Sequence, residues 1–370
     1  MKFTCEKNAL VSAISVASRT VAQKSTIPAL EGIYIRAGVK LTLSGYNLET
    51  GITISVDAEI QQTGACIMPS RLFFDIIRKL PGDTVSISVD EKFKVSIRGG
   101  ISSFSITAMS SEDYPELPEV ESDKGISLPQ NELKAMIGGT SFAVSENQAR
   151  PIHTGCLFEV EDTSITVVAV DGYRLALRRW KSEEPIGRTL KFVVPAAALK
   201  EAEKILGDTD EACTFFLGSK HILFTIGVAT LVCRLLEGEF LDWRRVLPQN
   251  QPVKLAVNVA KMTDSIERVG LIISEKLKSP VRCKFGENTA DFRSVSTIGE
   301  AHDVCQIAGD GQDMEIGFNC RYLLDALRAI PDAECSLELI NGLSPIVMNP
   351  CDGSERYSYM VLPVRLKAGE

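Results

Sequence analysis

The amino-acid sequence predicts an α+β fold of three tandem, similar domains, each with antiparallel sheets and two helices. The main observation is one short unit, in which a strand end runs into a compact helix, a turn and an alternating strand. This unit occurs three times, at Ile67–Val89, Phe192–Leu217 and Ile316–Leu339. A second observation is that another strand-and-helix pair precedes each copy. Internal repeats of this kind indicate a fold assembled from copies of one supersecondary unit.

The elements within each cycle follow from the spacing of apolar residues. Leu10 and Ile14 recur at helical spacing,, whereas Ile52 and Ile54 alternate as in a half-buried strand,. The predicted helical windows are 7–21, 71–80, 131–144, 196–206, 259–274 and 321–330.

The domain boundaries follow from the restart of this cycle. A Pro-rich, acidic stretch at 110–125 is typical of a linker,. In the third cycle, separate strands are expected at 282–288, 289–297 and 300–309. The alternative is three unrelated small domains, but proline or glycine falls at matching offsets in two or all three copies. The predicted domains are 1–120, 128–248 and 253–370.

Composition places the chain among globular proteins without a membrane span. Its 370 residues are 45% hydrophobic and 24% charged, with a net charge of −8, and these are ordinary values for soluble domains. No apolar run is long enough for a signal peptide or a membrane helix,. The 10 cysteines are scattered without a C-x-x-C pair, so we expect reduced, mostly buried thiols and a cytoplasmic protein.

Catalytic motifs are absent from the sequence. It contains neither a G-x-x-x-x-G-K-[ST] loop nor a G-x-S-x-G elbow,. The histidines His153, His221 and His302 stand apart from one another, without metal-ligand spacing. Asp171, in VDGYRL, is expected to shape a turn rather than to act as a catalytic acid. We therefore expect neither an enzyme, a metal site nor a cofactor.

Basic residues recur on the predicted helices although the chain as a whole is acidic. Three pairs lie seven residues apart and one pair four apart, which places each pair on one helix face. Such faces could meet phosphates without reading bases. The alternative, that Lys and Arg are simply good exposed helix residues, stays open for any single helix. The pairs are Arg71 and Arg78, Lys200 and Lys204, Lys261 and Arg268, and Arg321 and Arg328.

Several motifs, in order along the chain, carry a family likeness. They are MKFTCEKNAL, VDGYRLA, GEFLDWRRVLP, EIGFN and YMVLPVRL. Together they resemble the bacterial sliding clamps, the DNA polymerase III beta subunits. The resemblance implies a ring-shaped homodimer of head-to-tail subunits, with sheets outside and two helices per domain lining a central hole. Such a ring encircles duplex DNA without sequence preference and confers processivity on the replicative DNA polymerase.

The resemblance also implies the residues that meet partners. A pocket between the second and third domains would take a short hydrophobic peptide of the polymerase, the clamp loader or other clamp-binding proteins. The family commonly has Thr and His where this chain has Val170 and Tyr173, so its pocket is expected to be more apolar. The implied pocket residues are Val170, Tyr173, Arg174, Leu175, Leu241, Arg245, Val246, Met360, Leu362, Pro363, Val364, Arg365 and Leu366.

The resemblance implies two further sets of residues, one that contacts DNA and one that joins the two copies of the homodimer. DNA would be met by Lys24, Asn147, Gln148 and Arg150 and by the eight basic residues of the helix pairs above. The homodimer contact would join Phe104 and Ile106 to Leu271 and Ile272. The second functional hypothesis is a repeat-built protein-interaction scaffold that does not encircle DNA.

Overall fold

The computed structural model describes residues 1–121, 124–273 and 279–366. Backbone contacts divide the described residues into two compact units. Unit 1 is drawn from 1–134 and 197–235, and unit 2 from 135–196 and 236–366. Three parts of the predicted segments lie outside the described residues: linker positions 122–123, the last position of the fifth helical window, Ser274, and the last four positions of the third domain, 367–370.

Each of the six predicted helical windows coincides with an α-helix, and three of these helices begin one residue before the window. The first and third windows continue as short 3-10 turns, at Ser18–Thr20 and Ser141–Ala143. The α-helices are α1 Lys7–Ala17, α2 Ser70–Lys79, α3 Gln130–Gly138, α4 Ala196–Ile205, α5 Val259–Gly270 and α6 Cys320–Arg328.

The described residues form 23 strands in three antiparallel sheets. In chain order they are β1 Lys2–Glu6, β2 Gly32–Ala37, β3 Leu41–Tyr46, β4 Thr50–Val56, β5 Ala58–Gln62, β6 Gly64–Pro69, β7 Thr84–Val89, β8 Lys94–Gly99, β9 Ser102–Thr107, β10 Ile126–Pro129, β11 Gly155–Glu161, β12 Ser164–Val170, β13 Arg174–Lys181, β14 Leu190–Pro195, β15 Ala212–Leu217, β16 His221–Ile226, β17 Ala229–Arg234, β18 Val253–Asn258, β19 Val281–Ser296, β20 Gly299–Phe318, β21 Glu334–Leu339, β22 Ile346–Pro350 and β23 Tyr357–Val361.

The repeated unit predicted from the sequence is confirmed. Its three copies are β6–α2–β7, β14–α4–β15 and β20–α6–β21. The strand-and-helix pairs that precede them are β1–α1, β10–α3 and β18–α5. The α+β fold class is therefore confirmed as well.

Helix ends are fixed by side chains that accept from otherwise unpaired backbone N–H groups. At the start of α5, the Asn258 side chain accepts from the backbone N–H of Lys261 at 3.0 Å. Asn319 accepts in the same way from Tyr322 at the start of α6, at 3.3 Å. Such caps satisfy donors that a helix leaves orphaned, and each stabilises its helix by about 1 kcal/mol.

Unit 1 contains two sheets. The first has the strand order β5-β1-β7-β8-β9, so β9 ends it. The second has the order β10-β15-β16-β17-β4-β3-β2-β6, and in it β17 pairs with β4 through Ala229 opposite Ile54 and Cys233 opposite Thr50. Part of the predicted linker packs here, because buried Tyr114 stacks on Tyr34 with ring centroids 5.0 Å apart.

Unit 2 contains one sheet of 10 strands, in the order β14-β11-β12-β13-β23-β22-β21-β18-β20-β19. The stretches 282–288, 289–297 and 300–309 lie in strands, as predicted, up to Ser296 in the second of them, but they do not form three separate strands. The first two form one 16-residue strand, β19, and the third belongs to the 20-residue strand β20. A pairing irregularity around Glu287 and a left-handed Asn288 (φ 58°) let β19 continue where the sequence suggests a turn,.

The burial of the cysteine side chains agrees with the expectation of reduced, mostly buried thiols. The cysteines are free; Cys351 is exposed, Cys320 is half-buried, and the other eight are buried. Burial raises the pKa of Cys66 and Cys213 to about 12, which keeps both thiols protonated and unreactive near neutral pH. Among the described residues, no helix is long and apolar enough to span a membrane.

Candidate functional site

A row of buried apolar side chains crosses four neighbouring strands of unit 2. Val170 on β12 lies opposite Leu175 on β13, Leu175 lies opposite Met360 on β23, and Met360 lies opposite Val347 on β22. Residues directly opposite in a sheet point to the same face. All four side chains belong to one apolar cluster that also contains Trp243. The structure thus brings Val170, Leu175 and Met360 together, as the resemblance implied.

The edge of this cluster is formed where β13 begins and β23 ends. The backbone N–H of Leu362 donates to the carbonyl of Tyr173 at 2.8 Å, which extends the ladder by one bond beyond β23. Leu362 is half-buried against the cluster, whereas the Tyr173 side chain is 61% exposed. A large exposed aromatic ring beside a half-buried Leu is typical of a surface that receives another apolar group.

Tyr173 is held by the turn between β12 and β13. The Asp171 carboxylate accepts from the backbone N–H groups of Tyr173 at 2.8 Å and Arg174 at 3.0 Å. Gly172 has φ +93°, a left-handed conformation that side chains disfavour,. The prediction that Asp171 shapes this turn is confirmed.

Arg174 is the buried charge of the site. Its side chain is 7% exposed, and its guanidinium donates to Asp171 at 2.9 Å and to Asp325 of α6 at 2.6 Å. A buried guanidinium needs such partners because losing its hydration is costly. The two carboxylates therefore fix Arg174 between the turn and α6.

Aromatic rings enclose the same guanidinium. Its central carbon lies 4.3 Å from the ring centroid of Tyr322 and 5.4 Å from that of Phe142. Tyr322 also stacks on Tyr173, with centroids 6.1 Å apart. Cation–π contacts with a desolvated Arg are worth about 1–2 kcal/mol each. The exposed Tyr173 ring therefore packs on Tyr322, which is itself held against the buried Arg174 guanidinium.

The loop before β18 forms a second side of the implied peptide pocket. Glu159 of β11 is buried and accepts from the Trp243 indole at 3.1 Å and from Arg244 at 2.8 Å. Arg244 in turn stacks over Trp243, at 4.2 Å from its centroid. These contacts fix the 3-10 turn Trp243–Arg245, and three of the implied pocket residues lie in it or within two residues of it. They are Leu241, which is 41% exposed, Arg245, whose side chain is 87% exposed, and Val246, which packs on the apolar cluster.

The segment after β23 completes the implied pocket residues. The Val364 N–H donates to the carbonyl of Gly317 at 2.8 Å. A Cβ at Gly317 would come within 2.9 Å of the backbone carbonyl oxygen of Val364, so glycine allows the segment to lie this close to β20. Val364 is 38% exposed, Pro363 and Leu366 are half-buried, and Arg365 is exposed.

A cavity of about 440 Å³ lies beside Leu241. Arg150, one of the residues implied to meet DNA, lines it together with Ile152, His153 and Phe240. Asn147 and Gln148 are exposed in the preceding loop, where the Asn147 side chain accepts from the N–H of Ala149 at 2.9 Å. Arg150 therefore stands next to an implied pocket residue, a proximity that the sequence did not indicate.

Five of the eight basic residues on the helix faces form ion pairs with carboxylates. Arg78 pairs with Asp75, Lys204 with Glu201, Arg268 with Asp303, Arg321 with Asp325, and Arg328 with Glu267. The hydrogen bond from Arg268 holds the pKa of Asp303 below its usual range. All five basic side chains are at least half exposed, and pairs at such positions contribute about 0–1 kcal/mol. The pairs can therefore exchange their carboxylate for another anion at little cost.

The other three basic residues of the helix faces, and also Lys24, are exposed and have no carboxylate within 4.0 Å in the part of the chain that the structure describes. They are Arg71 on α2, Lys200 on α4, Lys261 on α5 and Lys24 in the loop after α1.

The residues implied to join two copies lie at two sheet ends. Phe104, 41% exposed, and half-buried Ile106 belong to β9, the last strand of the five-stranded sheet in unit 1. Leu271, 82% exposed, and half-buried Ile272 follow α5 in unit 2. The end of α5 is fixed to β19, the last strand of the other sheet, because Ser294 donates to the carbonyl of Val269.

Sequence reasoning missed the side chains that support the site. Asp325 and Tyr322 lie far along the chain from Arg174, and nothing in the local pattern connects them. Only Glu159 could have been noticed in the sequence, because it is a charged residue within a stretch of apolar residues in β11. Within the described ranges, no group of three or more His, Cys, Asp or Glu side chains could hold a metal.

Comparisons with known proteins agree along the whole chain. The family descriptions for the N-terminal, central and C-terminal domains of the DNA polymerase III beta subunit match residues 1–118, 127–242 and 244–365. The beta sliding clamp of Staphylococcus epidermidis is 32% identical over 381 aligned positions, covering 99% of both chains. That of Staphylococcus aureus is also 32% identical, over 378.

Solved structures give the same result for the fold. The crystal structure of the DNA polymerase sliding clamp from Bacillus subtilis is 30% identical, with a TM-score of 0.94, over 99% of this chain and 100% of that one. The sliding clamp from Pseudomonas aeruginosa, crystallised with a ligand, is 28% identical with a TM-score of 0.92 over the same shares. Nothing in these comparisons supports a scaffold unrelated to DNA. The chain therefore belongs to the DNA polymerase III beta subunit family, the beta sliding clamps.

Proposed function

We propose that two copies of this chain close head to tail into a ring around duplex DNA and tether the replicative DNA polymerase to it. The observation that carries this proposal is the ordered match of all three domain descriptions to one chain whose relatives are named beta sliding clamps. The domain boundaries proposed from the sequence are 1–120, 128–248 and 253–370. The six helices would line the hole, and the sheets would form the outer wall.

Closure of the ring would use the two sheet ends. Phe104 and Ile106 of one copy would contact Leu271 and Ile272 of the other, with β9 beside β19. An exposed strand at a sheet end presents unpaired N–H and C=O groups, together with apolar side chains, to another chain. Because the two surfaces differ, the contact is heterologous, and repeating it twice can close a ring.

Contact with DNA would come from the basic helix faces, together with Lys24, Asn147, Gln148 and Arg150. Lys and Arg contacts to phosphate carry no sequence information, and their strength falls with salt. The exposed ion pairs of Arg78 and Arg328 support this role, because a phosphate can replace a carboxylate with little change in energy. Weak, interchangeable contacts of this kind allow a ring to slide.

Partner proteins would bind the surface between Tyr173, Leu241 and Leu362. A buried apolar row lies behind exposed apolar groups there, with Arg174 fixed at one side. Clefts of this composition commonly take a short peptide whose apolar side chains provide most of the binding energy. The polymerase, the clamp loader and other clamp-binding proteins would compete for this surface. We infer no catalytic activity, no cofactor and a cytoplasmic location.

The test is topological. The protein is loaded by its clamp loader onto a nicked circular plasmid and separated from free protein by gel filtration, and the plasmid is then cut once. We expect retention on the circle and loss after cutting, because a ring slides off a free end. On linear DNA with both ends blocked by bound protein, retention should persist. Equal retention on circular and unblocked linear DNA would contradict the proposal.

A further inference from the structure

One wall of the cavity beside Leu241 contains a histidine next to the apolar side chains of Ile152 and Phe240. His153 lies in the 3-10 turn Pro151–Thr154, and its ring centroid is 5.1 Å from that of Phe240, at an interplanar angle of 57°. Its backbone is fixed on both sides. Its N–H donates to the carbonyl of Arg150 at 3.1 Å, and its carbonyl accepts from the N–H of Ser145 at 2.8 Å. The imidazole therefore has a defined place in the cavity wall.

This cavity is continuous with the apolar cluster of the proposed peptide site. Phe240 is 5% exposed and belongs to the same cluster as Val170, Leu175 and Met360, and Ile152 packs against that cluster. Leu241, one of the implied pocket residues, lines the cavity. A peptide side chain that enters this cavity would therefore meet Leu241 and the imidazole of His153, which line it together.

Charged groups lie around the cavity, and within the described ranges none of them forms an ion pair with His153. Arg150 precedes it in the same loop, and Glu146 lies in that loop four residues earlier. Glu239 and Asp242 line the cavity from the other segment, where Asp242 pairs with Arg245 at 3.0 Å. Burial, and to a smaller extent the charge of Arg150, lower the pKa of His153. The imidazole is therefore neutral at pH 7.

We propose that His153 is a specificity-determining residue of the peptide site, whose neutral ring forms, with Phe240 and Leu241, the wall that receives an apolar side chain of the partner. This inference rests on the proposed function. An apolar occupant covers the imidazole and removes its water, which disfavours the charged form. Protonation of His153 therefore opposes binding, and binding opposes protonation.

The sign of the pH dependence follows directly. Occupation lowers the pKa of His153 further, so affinity is highest above the pKa of the free protein and falls as the pH drops below it. If the occupied site requires neutral imidazole, affinity falls about tenfold for each pH unit below that pKa. A purely apolar wall would give a flat profile over the same range.

The experiment uses the full chain and a capped, fluorescent hexapeptide of Leu, Phe, Ser and Gln. The peptide is selected for binding to the unaltered protein at pH about 7.5 and has no titrating group between pH about 5 and 7.5. Anisotropy titrations give the affinity across this range. We expect loss of affinity on acidification for the unaltered protein and a flat profile for His153→Leu. His221→Gln and His302→Gln are matched controls, since these are the other two of the chain's 3 histidines, and both should keep the wild-type profile.

Magnetic resonance of the imidazole protons gives an independent readout that does not depend on the folding of a variant. With 3 histidines in the chain, the His153 signal is assigned from the His221→Gln and His302→Gln spectra. We expect the peptide to lower the pKa of His153 and to leave the other two unchanged. An unchanged pKa, or the same pH profile in His153→Leu, would overturn the inference and leave the peptide site standing. Failure of any such peptide to bind the unaltered protein would overturn the peptide site itself.

Discussion

Arg174 and Asp325 connect β13 to α6 through a hydrogen bond of 2.6 Å between residues 151 positions apart. The Arg174 side chain is 7% exposed and that of Asp325 is 23% exposed, so water screens this pair poorly. The same guanidinium also holds Asp171 and lies over Tyr322. One buried charge thus fixes both the turn that carries Tyr173 and the helix that faces it.

Replacing Arg174 with Ala should lower the free energy of unfolding of unit 2 by about 3 kcal/mol, because two carboxylates lose their buried partner. Lys should not rescue it, since an ammonium cannot donate to both carboxylates in the same fork geometry. Urea denaturation gives the size of the effect. Arg328→Ala is the matched control: its pair with Glu267 is about half exposed, and its removal should cost less than about 1 kcal/mol. Equal destabilisation of the two variants would contradict this account.

Replacing both Leu362 and Val364 with Asp should weaken binding of a partner peptide by about thirtyfold or more, the effect expected from a hot spot of about 2 kcal/mol. The cause is a pair of carboxylates placed against the apolar surface. Surface plasmon resonance with immobilised peptide provides the measurement, and sedimentation shows whether the dimer persists. Leu343→Asp, at a position that is 79% exposed, is the control. The assignment fails if the double variant binds as the wild type does.

Phe104→Asp and Leu271→Asp should each dissociate the dimer, since either change places an unpaired charge in the proposed apolar contact. Sedimentation equilibrium measures the mass. Val39→Asp makes the same change at a fully exposed turn of unit 1 and should leave the mass unaltered. Dimers of unchanged affinity in both interface variants would rule out these two surfaces as the contact.

Replacing Arg71 or Lys200 with Gln should reduce the salt dependence of DNA association. Each is an exposed cation without a nearby carboxylate in the described ranges. Removing one cation from a phosphate should lower the slope of log K against log salt by about 0.9. Association with a long duplex is measured over a series of KCl concentrations. Lys92→Gln, on the turn between β7 and β8, removes the same charge away from the helix faces. A slope that changes equally in all three variants would indicate a net-charge effect rather than a direct interaction with phosphate.

The sequence was sufficient for the elements of the fold because their signals are local. Apolar residues four apart, such as Leu10 and Ile14, lie on one helix face whatever the partner, and the repeated strand–helix–strand unit multiplied that signal. The continuity of β19 was missed because Gly286 and Asn288 are typical of a turn. Here they form a bulge, and only pairing with β20 decides between these two outcomes,.

The site was predicted less completely, because its support comes from residues distant in the chain. Val170, Leu175 and Met360 were named from their motifs, and the sheet register brings them together. Neither the bond from Arg174 to Asp325 nor the one from Trp243 to Glu159 leaves a periodic signal. The basic faces were predicted from spacing, but spacing alone does not show that Arg268 is directed to Asp303 on β20.

Two of the backbone ladders cross from one matched domain range into the next. β4 pairs with β17, and β13 pairs with β23, each through at least five consecutive residues. A fragment holding only 127–242 would therefore carry two bare strands, β17 and β13, each ready to join another copy edge to edge. The hydrogen bonds across these boundaries thus oppose the separation of the three repeats, in addition to the peptide bonds that join them.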